Sequence, residues 1–194
     1  NLPHDEVMFT ERLRDHGYRT ALFGKLHVSD RNTEQSHRHP HDGFDVYEWC
    51  IKPSIGMDTT YQAYSQWLKS QDPLFHDRLM REKRDLLHIP RELHMTHWAA
   101  QRTIDFLDQH DESQPFFCKM SVFDPHDPYE DYPEEFGELI DEQRIPRPIG
   151  LDEDLALMPE AIRREHTHGY AGDFEGKTLS DLMRYRKGYH ASIA

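Results

Sequence analysis

Three side chains in this sequence have the types and positions to handle an anion: Lys25, His27 and His126. Lys25 and His27 stand in GYRTALFGKLHVSD, with one leucine between them, after an apolar run that stops at Gly24. His126 stands in DPHDPY, just after a second apolar stretch, FFCKMSVF. A lysine offers a fixed cation, and an imidazole can give or take a proton near neutral pH. One cation and two imidazoles suit a tetrahedral oxyanion such as sulfate or phosphate. A histidine beside a leaving oxygen could also act as general acid. Spacing alone leaves a blander reading open, in which all three are solvated loop residues.

For these residues to meet, two strands must deliver them side by side. Tyr18 to Phe23 reads as a short buried strand, and Phe116 to Phe123 as a second. In an open α/β sheet, ligands gather outside the carboxyl ends of the strands. If the two strands are parallel, Lys25, His27 and His126 converge on one crevice. A helix is expected over about Asp5 to His16, with acidic residues at its start and Gly17 past its end. Residues 30–58 read as loop with short extended pieces. Another helix is expected after Asp58 as N-cap, with Tyr61, Tyr64 and Leu68 on one side. A further one is placed around Leu79 to Leu87. The most regular runs from about Glu92 to Gln109, where Leu93, Ala100, Ile104 and Leu107 repeat at helical spacing. Residues 124–178, rich in proline, acid and histidine, read as surface cover, and LSDLMRYRKGYHASIA starts a last helix. Helix, turn and strand in this order predict the α/β class.

The chain has 194 residues, the size of one domain. Its net charge is −13, from 36 acidic and 23 basic side chains. That balance argues against a nucleic-acid backbone as main partner, since phosphate binding needs a basic face. It also argues against an anionic membrane surface, and no run approaches the roughly 20 apolar residues of a membrane helix. Two cysteines make no disulfide framework, and Cys118, inside an apolar run, reads as a buried thiol. The sequence opens in NLPHDE and stops within a helical pattern at YHASIA, which reads as an internal piece of a longer protein.

The wording of these stretches is more specific than their spacing. GYRTALFGKLH resembles a signature of the sulfatase family, Gly-Tyr-x-Thr-x-x-x-Gly-Lys-x-His, with matches at Gly17, Tyr18, Thr20, Gly24, Lys25 and His27. HDGFDVYEW resembles the Gly-Phe-Asp stretch that follows it in many members. PFFCKMSVFDPHDPYEDYPEEF resembles the later Pro-Phe-Phe strand and Pro-His-x-Pro-Tyr turn, and YRKGYHASIA the family's Tyr-Tyr-Ala helix. Order and spacing agree from about Leu2 to Ala194.

The resemblance implies an alkaline-phosphatase-like α/β/α sandwich, here partial, with residues 1–194 the central part of one catalytic domain. It implies that Lys25 contacts both sulfate and nucleophile. His27 would hydrogen-bond an aldehyde-hydrate nucleophile and help expel sulfate from the covalent intermediate. His126 would contact the sulfate and assist the leaving alcohol. The substrate implied is a small-molecule or carbohydrate sulfate ester. The family makes formylglycine from Cys-x-Pro-x-Arg, which neither CIKPS nor CKM spells. Its Asp-Asp metal pair has no match, and Asp15-His16-Gly17 spells its other metal tripeptide in the wrong place. The nucleophile and the divalent metal, calcium, of the intact parent are therefore expected outside this chain. The chain itself is assigned no metal ligand and no activity alone.

Two other readings stand beside this one. One is a phosphomonoester or phosphonate hydrolase of the same superfamily, which the missing nucleophile would distinguish. The other is a non-catalytic, His-rich acidic module binding metal or a protein. It draws on HRHPH, where His37, His39 and His41 would share a face in an extended segment. A solvated loop is the plainer reading there. Trp49, read in a loop, is open to sugar stacking or packing, whereas Trp98 reads as packing. The run EDYPEEFGELIDE lacks the spacing of a calcium loop and reads as charged surface.

Overall fold

Arg19–Gly24 form β1, Val46–Trp49 form β2 and Phe116–Ser121 form β3. In this computed structural model they make one sheet in the order β2-β1-β3, with β1 parallel to both neighbours. The structure describes residues 1–51, 59–82, 88–127, 129–147, 156–168 and 177–194. The helices are α1 (Phe9–Asp15), α2 (Arg31–Glu34), α3 (Ala63–Gln71), α4 (Pro73–Glu82), α5 (Met95–Asp108), α6 (Glu134–Glu138), α7 (Glu160–His168) and α8 (Leu179–Ala191). The chain divides into two compact units, Asn1–Asp124 and Pro125–Ala194.

A central parallel strand is covered on both faces, so it reads as an unbroken apolar run rather than an alternating one. Ala21, Leu22 and Phe23 are all buried. Leu22 joins Phe44, Trp49 and Phe117 on one face, where Phe9 of α1 meets Phe117 edge to face at 5.2 Å. Ala21 and Phe23 point the other way, onto Phe106 of α5. Helices on both faces of a parallel sheet make the first unit an α/β layered structure. A second core gathers Tyr64 and Leu68 of α3, Leu79 of α4, and Met95, Trp98 and Ala99 of α5.

Several elements differ from the sequence expectation. α1 begins at Phe9 rather than near Asp5. α3 starts at Ala63 with Gln62 at the N-cap position, and Asp58 lies outside the described residues. α4 spans Pro73–Glu82, while residues 83–87 lie outside the described residues. On α5, Ile104 and Leu107 are exposed, and the buried stripe is Met95, Trp98, Ala99 and Phe106. The aromatic rings carry more apolar area than the aliphatic set and so take the inward face. β2 lies inside residues 30–58, where short extended pieces within a loop were expected.

In the second unit, α8 opens with a reciprocal capping box between Thr178 and Asp181. Lys187 on α8 donates to Glu142 at 2.7 Å. Tyr129 and Tyr189 meet edge to face at 5.5 Å.

Gly24 ends β1 at a φ of +112°, and a Cβ there would lie 2.0 Å from the Ser121 carbonyl oxygen. Both the dihedral and the close approach require glycine. Gly24→Ala is expected to cost about 3 kcal/mol or more, combining backbone strain with overpacking. Denaturant unfolding of the variant checks this, and an unchanged midpoint would show that the strand end relaxes freely.

Candidate active site

The carboxyl ends of all three strands lie in register, with Gly24 opposite both Trp49 and Ser121. Lys25 follows β1, Cys50 follows β2, and Phe123 and Asp124 follow β3. Hydrogen bonds fasten these ends together. The Lys25 N–H donates to the Ser121 carbonyl at 2.7 Å, and the Cys50 N–H to the Gly24 carbonyl at 3.0 Å. The Lys25 ammonium sits 5.0 Å from the centroid of the Phe123 ring, a cation–π distance. Lys25 is half-buried, so its charge works in a partly dry setting.

Leu26 turns back into the core, and its carbonyl accepts the Trp49 indole N–H at 2.7 Å. Trp49 therefore ends β2 as a fully buried strut and is no sugar platform. His27, the next residue, is exposed. Burial and alternation explain the Lys-Leu-His spacing: the leucine anchors the turn, and the polar residues on either side are left outside the core.

The Gly-Tyr-x-Thr and Gly-Phe-Asp stretches prove to be bonded to each other. The Thr20 N–H donates to Asp45 Oδ2 at 2.9 Å, and its hydroxyl to the Gly43 carbonyl at 2.6 Å. The Asp45 N–H returns a bond to the Thr20 carbonyl at 3.0 Å. These bonds hold β2 beside β1, so Thr20, Gly43 and Asp45 build the sheet rather than touch an anion.

Asp124 was not singled out by sequence reasoning. Its Oδ2 accepts the Thr96 hydroxyl at 2.9 Å and lies 3.7 Å from His94 Nε2. His94 caps α5, with Nδ1 accepting from the Thr96 N–H, which places the remaining ring proton on Nε2 toward Asp124. A carboxylate at a strand end, immediately before a proline, was the available signal. Burial pushes the His94 pKa down, and the Asp124 carboxylate pulls the other way. A histidine held neutral in the fold binds fewer protons than in the unfolded chain. Stability is then full above the ordinary value of 6.5 and is lost as pH falls below it. Thermal unfolding should show a midpoint that drops below that pH, and His94→Asn should flatten this slope while keeping a capping side chain.

His126 belongs to the second unit. Its Nδ1 lies 2.8 Å from the Asp127 carbonyl oxygen and 2.9 Å from Asp127 Oδ1, and about half of its side chain is exposed. Pro128 of the same motif lies outside the described residues.

The histidines of HRHPH do not share a ligand face. His39 is buried, accepts from the His41 N–H and so donates Nε2–H to the Pro3 carbonyl at 2.9 Å. His41 pairs with Glu11 at 3.1 Å, and His37 contacts Ser36. Among the described residues, no group of three or more His, Cys, Asp or Glu is arranged to hold a metal ion. The described side chains thus do not fit a metal centre. Of the two cysteines, Cys50 is the fully buried one, 3.2 Å from Met95 Sδ, and burial raises its pKa far above the ordinary range. Cys118 is only partly covered, because β3 has a neighbour on one side alone among the described strands.

The Sulfatase family model matches residues 1–182. The chain belongs to the sulfatase family. It is 30% identical over 197 aligned residues to an arylsulfatase of Clostridium perfringens (strain 13 / Type A), covering 91% of this chain and 38% of that protein. In structure it is similar to the phosphonate monoester hydrolase of Agrobacterium radiobacter, with a TM-score of 0.62 and 20% identity. That likeness covers 93% of this chain and 40% of the other, and shows that the two share a mixed α/β fold. This sulfatase-family chain spans about two fifths of the length of these relatives.

Proposed function

We propose that the parent protein hydrolyses sulfate esters, with Lys25, His27 and His126 acting on the sulfate. The observation that carries this reading is the delivery of Lys25 and His27 from the carboxyl end of a central parallel strand in a sulfatase-family chain. In the proposed reaction one hydroxyl of a formylglycine hydrate, which the parent would supply outside residues 1–194, attacks sulfur and gives up its proton to solvent. His126 protonates the leaving alcohol oxygen as its bond to sulfur breaks. Lys25 offsets the negative charge on the sulfate oxygens. His27 then takes a proton from the remaining hydroxyl of the intermediate, so that the aldehyde re-forms and sulfate departs. The divalent metal, calcium in this reading, is likewise assigned to other parts of the parent. The substrate is a small-molecule or carbohydrate sulfate ester.

The test is steady-state assay of the full-length parent on matched aryl sulfate, aryl phosphate and phosphonate monoester substrates. Preference for the sulfate supports the proposal, and preference for the phosphate or phosphonate would replace it with phosphoryl chemistry. The 194-residue chain alone is expected to be inactive on aryl sulfates, because covalent catalysis cannot start without its nucleophile. Turnover by the purified chain that disappears in His27→Ala would overturn that expectation and place a nucleophile within it.

A further inference from the structure

Glu34 ends α2 and is only 5% exposed. Its Oε1 accepts two backbone N–H groups, from Val28 at 2.6 Å and Ser29 at 2.8 Å. Its Oε2 is buried without a hydrogen-bond partner among the described residues. Burial pushes the Glu34 pKa up, against the two backbone bonds and the charge of His27, which pull it down. Placing a carboxylate there is costly, so a hydrophobic residue would serve better if the loop needed only packing. The short helix that carries it is itself braced. Asp30 accepts the N–H groups of Asn32 and Thr33 and the Thr33 hydroxyl.

These bonds frame one residue. On the amino side of His27, the Leu26 carbonyl is held by the Trp49 indole. On its carboxyl side, Val28 and Ser29 are held by Glu34. His27 is the exposed residue between two fixed pieces of backbone.

We propose that Glu34 is a positioning residue for His27, its Oε1 clamping the Val28 and Ser29 amides so that the imidazole is presented from a fixed backbone. The inference rests on the catalytic reading of His27 given above. Glu34 touches no substrate; it works through the main chain of its neighbours.

The test uses the full-length parent with an activated aryl sulfate, comparing His27→Ala, Glu34→Ala, Glu34→Gln, Glu34→Asp and the double variant of His27→Ala with Glu34→Ala. Glu34→Ala should lower kcat by ~10- to 10²-fold, the scale of an ångström-sized misplacement. Glu34→Gln keeps an acceptor oxygen at the same reach and should restore kcat to near the parent value. Glu34→Asp keeps the charge but is one methylene short, and should fail with the alanine variant. In the His27→Ala background, Glu34→Ala should cause no further loss, because the group it positions is gone. If Glu34→Ala does not fold, the contrast between the glutamine and aspartate variants decides. Additive losses in the double variant would overturn the inference, as would an active Glu34→Asp beside an inactive Glu34→Gln. A large His27→Ala effect with unchanged kcat in Glu34→Ala would overturn the Glu34 inference alone. An unchanged His27→Ala would overturn the catalytic reading on which it rests.

Discussion

Lys25→Ala in the full-length parent should lower kcat by ~10²–10³, the scale of deleting a preorganised group that stabilises developing negative charge. The transferred group is anionic in the proposed reaction, and Lys25 is half-buried, where its charge counts for more than in water. A lost fold would not account for such an effect. The contact of Lys25 with the Phe123 ring contributes only about 0.5–2 kcal/mol at a half-buried site. Equal thermal unfolding midpoints for parent and variant, measured alongside kcat, separate the two causes. Lys25→Arg should recover little, since a planar guanidinium does not replace a compact ammonium. Unchanged turnover in Lys25→Ala would remove the anion from the end of β1 altogether.

His126→Ala should discriminate between leaving groups. An alkyl or sugar sulfate expels a basic alkoxide and needs a proton donor, whereas an activated aryl sulfate expels a stable phenolate. General acid catalysis contributes roughly 10²–10⁴-fold where it is needed. The variant should therefore lose most of that factor on alkyl and sugar sulfates and much less on the aryl ester. Equal losses on both would leave His126 as a sulfate contact without an acid role.

Much of the scaffold was legible in the sequence because β1 and β3 are apolar runs bounded by breakers. Ala21-Leu22-Phe23 could hardly be anything but a covered strand once Gly24 stopped it. The missed elements were those whose cause is tertiary. Val46–Trp49, legible only as one of several short extended pieces, is fixed as a strand by its pairing with β1, with Asp45 and Thr20 bonded beside it. The inward face of α5 was misassigned because helical spacing fits more than one stripe, and only the presence of Phe23 opposite selects Phe106. At the candidate site, Lys25 and His27 were readable from residue type and motif wording. Glu34 and Asp124 were not, because each acts through a backbone group or a side chain that no sequence pattern links to it. A hydrogen bond from Glu34 to Val28 leaves no periodicity behind.

The strand order β2-β1-β3 has a consequence for synthesis. β1 gains its first neighbour as soon as Trp49 has been made, but its second, Phe116–Ser121, is separated from it by α3, α4 and α5. Pairings of such long sequence separation form slowly, since loop closure precedes any gain from contact. A ribosome-bound chain therefore carries the most deeply buried strand of the sheet with one edge open while α3, α4 and α5 emerge. Such an edge invites pairing with other chains. The Lys25 amide, which donates to Ser121, cannot reach its final place until that wait is over. Translation pauses or chaperone contact between Trp49 and Phe116 should therefore govern the yield of soluble protein more than events at either end of this stretch.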